Sequence, residues 1–266
     1  MNPAAFRRLA AVEDRHWWYL GMRATARRLL ESSAPGGDLL DAGCGTGGWL
    51  QTLAGWDAFG VDRHPAALAL ARRRVPGRIA RATVTALPFA DASFDVVTAV
   101  DVLYHEAVVS DVAALAELGR VVRPGGAVLV QVPAYDWLRS RHDRDVATRE
   151  RYTSRRLADR VAAAGLRVDR VTHANALLLP LAVAWRTLEG RLPGTSALDL
   201  WVPPEPLNSF ALGLLAIERW WLRRHRLPWG LSVLAVARRG KPATTRTPAV
   251  PPATRGSHRH RHGEAI

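Results

Sequence analysis

The chain has 266 residues, 48% of them hydrophobic, and a formal net charge of +13. That is enough for one α/β domain with some decoration, and length alone does not demand two. A single cysteine, Cys44, excludes an internal disulfide framework and a zinc site built on several thiolates. No apolar run reaches the roughly 18 residues of a membrane span. The first residues, MNPAAFRRLAAVEDRHWWYL, lack the long apolar stretch of a secretory signal, so a cytoplasmic location is expected. The positive charge is almost entirely arginine, with Lys241 the one lysine. Such a balance fits either a basic face toward nucleic acid or anionic lipid, or the coding habit of a GC-rich genome.

Taken in chain order, residues 1–31 form a leader that reads as helical over 4–31. Pro35-Gly36-Gly37 breaks it. Leu39–Ala42 reads as a short buried strand, Gly48–Ala54 as the start of a helix, and Ala58–Asp62 as a second strand. Pro65–Arg74 is a helix with proline at its favoured first position. Phe94–Val100 is apolar almost throughout, as a strand covered on both faces requires. A helix over Ser110–Val122, a strand over Ala127–Val132, a helix over Ser154–Ala164 and strands over Leu166–Thr172 and Leu231–Ala237 follow. This alternation predicts an α/β fold, a mostly parallel sheet with helices on both faces. Residues 38–175 form its core. Residues 176–228 break the alternation and read as a helical insertion before the last strand, 230–239. Residues 1–239 thus make one domain, and 240–266 a disordered basic tail.

Asp41-Ala42-Gly43-Cys44-Gly45-Thr46-Gly47-Gly48 lies between a strand and a helix. Glycines there let backbone approach a ligand, but their spacing also fits a dinucleotide loop. Asp62, ending the second strand, is placed to accept ribose hydroxyls from either cofactor. Asp41 discriminates better: a carboxylate there repels a pyrophosphate and suits an ammonium group.

DAGCGTGG, GVDRHP, TALPFADASFDVV and ELGRVVRPGGAVLVQVP, in this order, closely resemble the successive motifs of class I S-adenosylmethionine-dependent methyltransferases. The subgroup resembled is the small-molecule one, methyltransferase type 11, with the ubiquinone and menaquinone C-methyltransferases. The resemblance covers roughly residues 38–172. It implies a Rossmann-like sheet of seven strands whose last is antiparallel, with S-adenosylmethionine as cofactor and S-adenosylhomocysteine as product. It further implies that Asp41, Ala42, Gly43, Cys44, Gly45 and Gly47 cradle the methionine part and that Asp62 with Arg63 holds the ribose. Thr83 and Val84 would flank the adenine, and Val100 and Asp101 would complete the set. The family usually has an aspartate where Thr83 stands, so that contact to the adenine amine is missing.

Methyl transfer is an in-line displacement, in which a protein chiefly aligns nucleophile, methyl and sulfur. Three residues are candidates for proton transfer. His105 follows the Phe94–Val100 strand at the ligand-binding end of the sheet, and serves there either as a base or as a turn cap. His142 and Tyr152 belong to a polar cluster, residues 133–153, which resembles a segment in a subset of these enzymes. Asp143 and Arg151 of that cluster, with Tyr104 and the leader residues His16, Trp17 and Arg23, are candidates for binding the acceptor. Ordinary core packing is the competing reading for the leader aromatics. No metal site is expected. In the insertion, apolar residues at 210, 214, 217 and 221 share one helical face beside Arg223, Arg224 and Arg226. Residues 207–226 therefore read as a lid over the acceptor or as a peripheral membrane contact. The expected function is methylation of a small-molecule or lipid-linked acceptor. A nucleic-acid methyltransferase and a non-catalytic cofactor-binding subunit are the alternatives. Against nucleic acid, Asp101-Val102-Leu103-Tyr104 is not the proline-rich segment of base-amine enzymes.

Overall fold

The computed structural model describes residues 3–34, 36–189 and 201–240. The expected disordered tail thus lies almost wholly outside the described residues. In chain order the helices are α1 (Pro3–Val12), α2 (Trp17–Glu31), α3 (Pro65–Arg74), α4 (Asp111–Val121), α5 (Arg141–Asp145), α6 (Ser154–Ala163), α7 (Leu179–Glu189) and α8 (Glu205–Trp221). The strands are β1 (Gly37–Ala42), β2 (Trp56–Asp62), β3 (Ile79–Arg81), β4 (Phe94–Val100), β5 (Val122–Pro133), β6 (Leu166–Ala174) and β7 (Ser232–Arg239). They form one sheet in the order β3-β2-β1-β4-β5-β7-β6, with β7 antiparallel to both neighbours.

Because successive side chains leave a strand on opposite faces, neighbours in these strands belong to different cores. Leu40, Val97 and Val128 pack on one face with Leu115, Leu118 and Leu157 of α4 and α6. Leu39, Val96 and Leu129 pack on the other with Leu29 and Leu30 of α2 and Leu68 of α3. Both faces are covered, as the apolar β4 sequence requires. Side-chain caps fix where the helices begin: His64 accepts from Ala66 N–H, Ser110 from Ala113 N–H and Thr153 from Arg156 N–H. The chain order reverses between β1 and β4, which opens a crevice at their carboxyl ends.

Four local readings need correction. The leader is two helices rather than one, because His16 caps α2 by accepting Trp18 N–H at 3.1 Å. Gly48–Ala54 makes only a 3₁₀ turn, Leu50–Thr52. There the chain turns inward, burying Trp49, whose Nε1 donates to Thr98 Oγ1 at 3.2 Å. The three-residue edge strand β3 carries too little pattern to be read. Finally, α8 starts at Glu205 rather than near Phe210, with Pro206 in its first turn, where its missing N–H costs nothing.

Candidate active site

The loop after β1 folds back on β2: Gly43 and Cys44 N–H both donate to Val61 O, at 2.7 and 2.8 Å. Asp62 then organises the crevice. Its Oδ2 accepts from Gly45 N–H at 3.0 Å and its Oδ1 from His64 N–H at 2.7 Å. Gly45 has φ +53°, and a Cβ built on it would meet nothing within 4 Å. The loop therefore presents bare backbone to an open space bordered by Asp62, a cradle that suits the cofactor implied by the sequence. The side chains of Ala42, Cys44 and Val84 are packed into the cores, so only their backbones face a ligand. Thr83 and Arg63 are exposed, and Val100 is half-buried. Thr83 Oγ1 meets Thr85 Oγ1 at 3.2 Å, and Arg63 O accepts from Arg81 Nε at 3.2 Å.

Asp41 lies at the floor, buried, with Thr98 Oγ1 donating to its Oδ1 at 2.8 Å. Burial pushes its carboxyl up to about 7, with Asp62 adding to the rise and Thr98 and Arg23 opposing it. Ionising Asp41 therefore costs the fold stability as pH climbs from the ordinary carboxylate range through 7. A cationic ligand group beside it favours the ionised form. Affinity for S-adenosylhomocysteine is expected to rise with pH, approaching tenfold per unit below about pH 7 and flattening above. Calorimetric titrations across that range check this, and Asp41→Asn should flatten the profile.

A buried ion network lies behind the loop. Glu13, in the break between α1 and α2, binds Arg23, Arg74 and the Thr46 hydroxyl, while Asp14 pairs with the same two arginines. Gly48 makes room: a Cβ there would collide with Arg23 and Glu13. The leader is thereby locked onto the glycine loop. Arg23, expected at the acceptor, is instead committed to this lock and does not line the acceptor cavity.

That cavity, of about 200 Å³, opens beyond Asp101. Its walls come from the leader (His16, Trp17, Tyr19), from Tyr104 after β4 and from His142, Asp143 and Arg151 after β5. Arg186 of α7 closes it on another side. Asp101 and Tyr135, just past β4 and β5, hold left-handed backbone (φ 56° and 55°), strain of the kind stored where a site is being shaped. Asp101 Oδ2 accepts from Gln131 Nε2 at 2.8 Å. The surrounding protein pushes its carboxyl up to about 6, against the Gln131 hydrogen bond and the charge of Arg151. Burial, with Asp101, Tyr19 and Asp143 nearby, drives the Tyr104 hydroxyl far up, so it stays protonated. Arg151 forms a two-pronged pair with Asp143 (Nε–Oδ1 2.8 Å, Nη2–Oδ2 3.0 Å) and donates from Nη1 to Ala134 O.

Two of the residues expected to move protons stand elsewhere. Tyr152 is fully buried, its hydroxyl donating to Asp111 Oδ2 at 2.9 Å, and it belongs to the core. His105 Nδ1 accepts from Ala107 N–H at 3.0 Å, and the residue does not line the cavity. That bond occupies the lone pair a base would use, and burial lowers the ring's proton affinity. His105 is the turn cap. His142 does line the cavity. The sequence reading missed Glu13, Thr98, Gln131 and Arg186. Glu13 alone carried a signal, an acid beside the apolar face of the leader.

Comparison with known proteins accords with this geometry. The family model described as "Methyltransferase domain" matches residues 40–130, the glycine loop through most of β5. Over those residues the chain is thus similar to a methyltransferase domain. The 2-methyl-6-phytyl-1,4-hydroquinone methyltransferase of Synechocystis is 38% identical over 125 residues, 44% of this chain and 37% of that one. A Mus musculus chain named for tRNA methylation is 30% identical over 111 residues, 41% of this chain and 25% of that one. The chain thus spans less than half the length of these curated relatives. A chain from the complex of the Haloferax volcanii Trm112 methyltransferase activator shares the fold of this chain at a TM-score of 0.58. It is 20% identical, with 97% of both chains covered.

Proposed function

We propose that this methyltransferase domain methylates a small-molecule or lipid-linked acceptor seated in the cavity beyond Asp101. The observation that carries this is the cavity itself: about 200 Å³, walled by the aromatic leader, and adjoining the crevice at the carboxyl ends of β1 and β4. Arg151 is already neutralised by Asp143, so the wall it forms offers little to a phosphodiester. That favours an acceptor with an apolar ring or chain over nucleic acid.

S-adenosylmethionine supplies an electrophilic methyl group on a sulfonium. Asp41, the Gly43–Gly47 backbone and Asp62 would hold it, and Thr83 and Val84 would flank its adenine. Trp17, Tyr19 and Tyr104 orient the acceptor and exclude water. Tyr104 donates a hydrogen bond, since its proton is retained. His142 takes up the proton of the nucleophile.

The test is methyl transfer from tritiated S-adenosylmethionine into fractionated cell extract. Label is expected in the low-molecular-weight or lipid fraction, and label confined to RNA would overturn the reading. With an acceptor in hand, His142→Ala is expected to lower kcat about a hundredfold, the usual contribution of a general base, with cofactor affinity unchanged.

A further inference from the structure

The helix α8 carries apolar residues on both of its sides. Its inward face carries Asn208, Ala211, Leu215, Glu218 and Leu222, all buried. The polar members are satisfied: Asn208 bonds the backbone of Arg15 and Trp17, and Glu218 accepts from Asn175 and Leu177 N–H. Its outward side carries the apolar stripe read from the sequence. Phe210 is 64% exposed, Ile217 58% and Trp220 65%, with Leu207 and Trp221 also open. Leu214 alone in the stripe turns partly inward. The lid reading placed this face on the acceptor, and the structure turns it to solvent.

We propose that α8 docks this chain onto an anionic lipid surface, lying in the plane of the interface. Charge selects this occupant. Between Leu207 and Trp229 the sole acid is Glu218, which is buried, while Arg223, Arg224 and Arg226 stand exposed at the end of the stripe. Arg170 Nη2 fixes that end by donating to the carbonyls of Leu222 and His225, both at 2.5 Å. Trp221 stacks on His225 with ring centroids 4.3 Å apart. Large apolar side chains beside tryptophans and three exposed arginines match the boundary between acyl chains and anionic headgroups. A dimer interface, by contrast, excludes charge from its core. Among the described residues no helix is long and apolar enough to cross a membrane, which fits a helix that lies on one.

Co-sedimentation of the full chain with phosphatidylcholine vesicles, with and without phosphatidylglycerol, tests this. Binding is expected to need phosphatidylglycerol and to weaken with salt. The triple change Arg223→Gln, Arg224→Gln, Arg226→Gln should weaken it about a hundredfold. Phe210→Ser with Trp220→Ser should also release the protein, with unchanged thermal melting. Equal binding to both vesicles, or binding to neither, would overturn the proposal. So would sedimentation equilibrium showing a dimer that Phe210→Ser dissociates, or RNA binding lost in the arginine variant without vesicle binding. The readout is vesicle capture, so its failure leaves the catalytic reading untouched.

Discussion

Replacing Asp62 by alanine is expected to weaken S-adenosylhomocysteine binding about a hundredfold while the protein stays folded. The carboxylate does two jobs at once. It accepts from Gly45 and His64 N–H, which shapes the bare-backbone cradle, and its remaining lone pairs border the space where a ribose would lie. Hydrogen bonds to a charged group contribute about 1.5–3 kcal/mol each, so losing them accounts for the expected drop. Calorimetric titration reads it, with circular dichroism to confirm the fold. Undiminished binding would mean that the ligand is not held at the end of β2.

The second large effect is on stability. Asp143→Ala is expected to lower the free energy of unfolding by about 3–5 kcal/mol, because it strands the buried guanidinium of Arg151 without its counter-ion. It also removes the acceptor for Ser140 N–H at the start of α5. Urea unfolding measures this, and the double change Asp143→Asn with Arg151→Met should recover part of the loss, since no buried charge then remains. Burial alone would raise the Asp143 carboxyl, but Arg151 outweighs it and holds the group below the ordinary carboxylate range. Its contribution is therefore intact above the unfolded carboxylate's pKa and is lost as pH falls through the lowered one.

The cofactor half of the site was legible because it is made of short, contiguous pattern. A strand, a glycine loop and an acid at the next strand end follow one another closely in the chain, and Asp41 before the loop narrows the choice that the glycine spacing leaves open. The acceptor half draws on residues far apart in the chain, and sequence offers no register for them. Arg23 and Arg151 look alike as isolated cations, yet one is paired with Glu13 and Asp14 behind the glycine loop and the other lines the cavity beside Asp143. Tyr152 sits next to Arg151 in sequence, but in this extended segment adjacent side chains point opposite ways, and the tyrosine falls into the core. His105 shows the same limit: its backbone position was right, and a single N–H from Ala107 decides its role.

The clamp made by Asn208 on Arg15 O and Trp17 N–H joins positions 193 and 191 residues apart. Synthesis runs from the amino end, so Arg15 and Trp17 leave the ribosome long before the Asn208 that bridges them. The lock on the glycine loop, whose members all lie between Glu13 and Arg74, can form without α8, whereas the seam between α2 and α8 closes late. The acceptor wall that Trp17 helps to form would then take its final position only when that seam closes, after the cofactor crevice is already built.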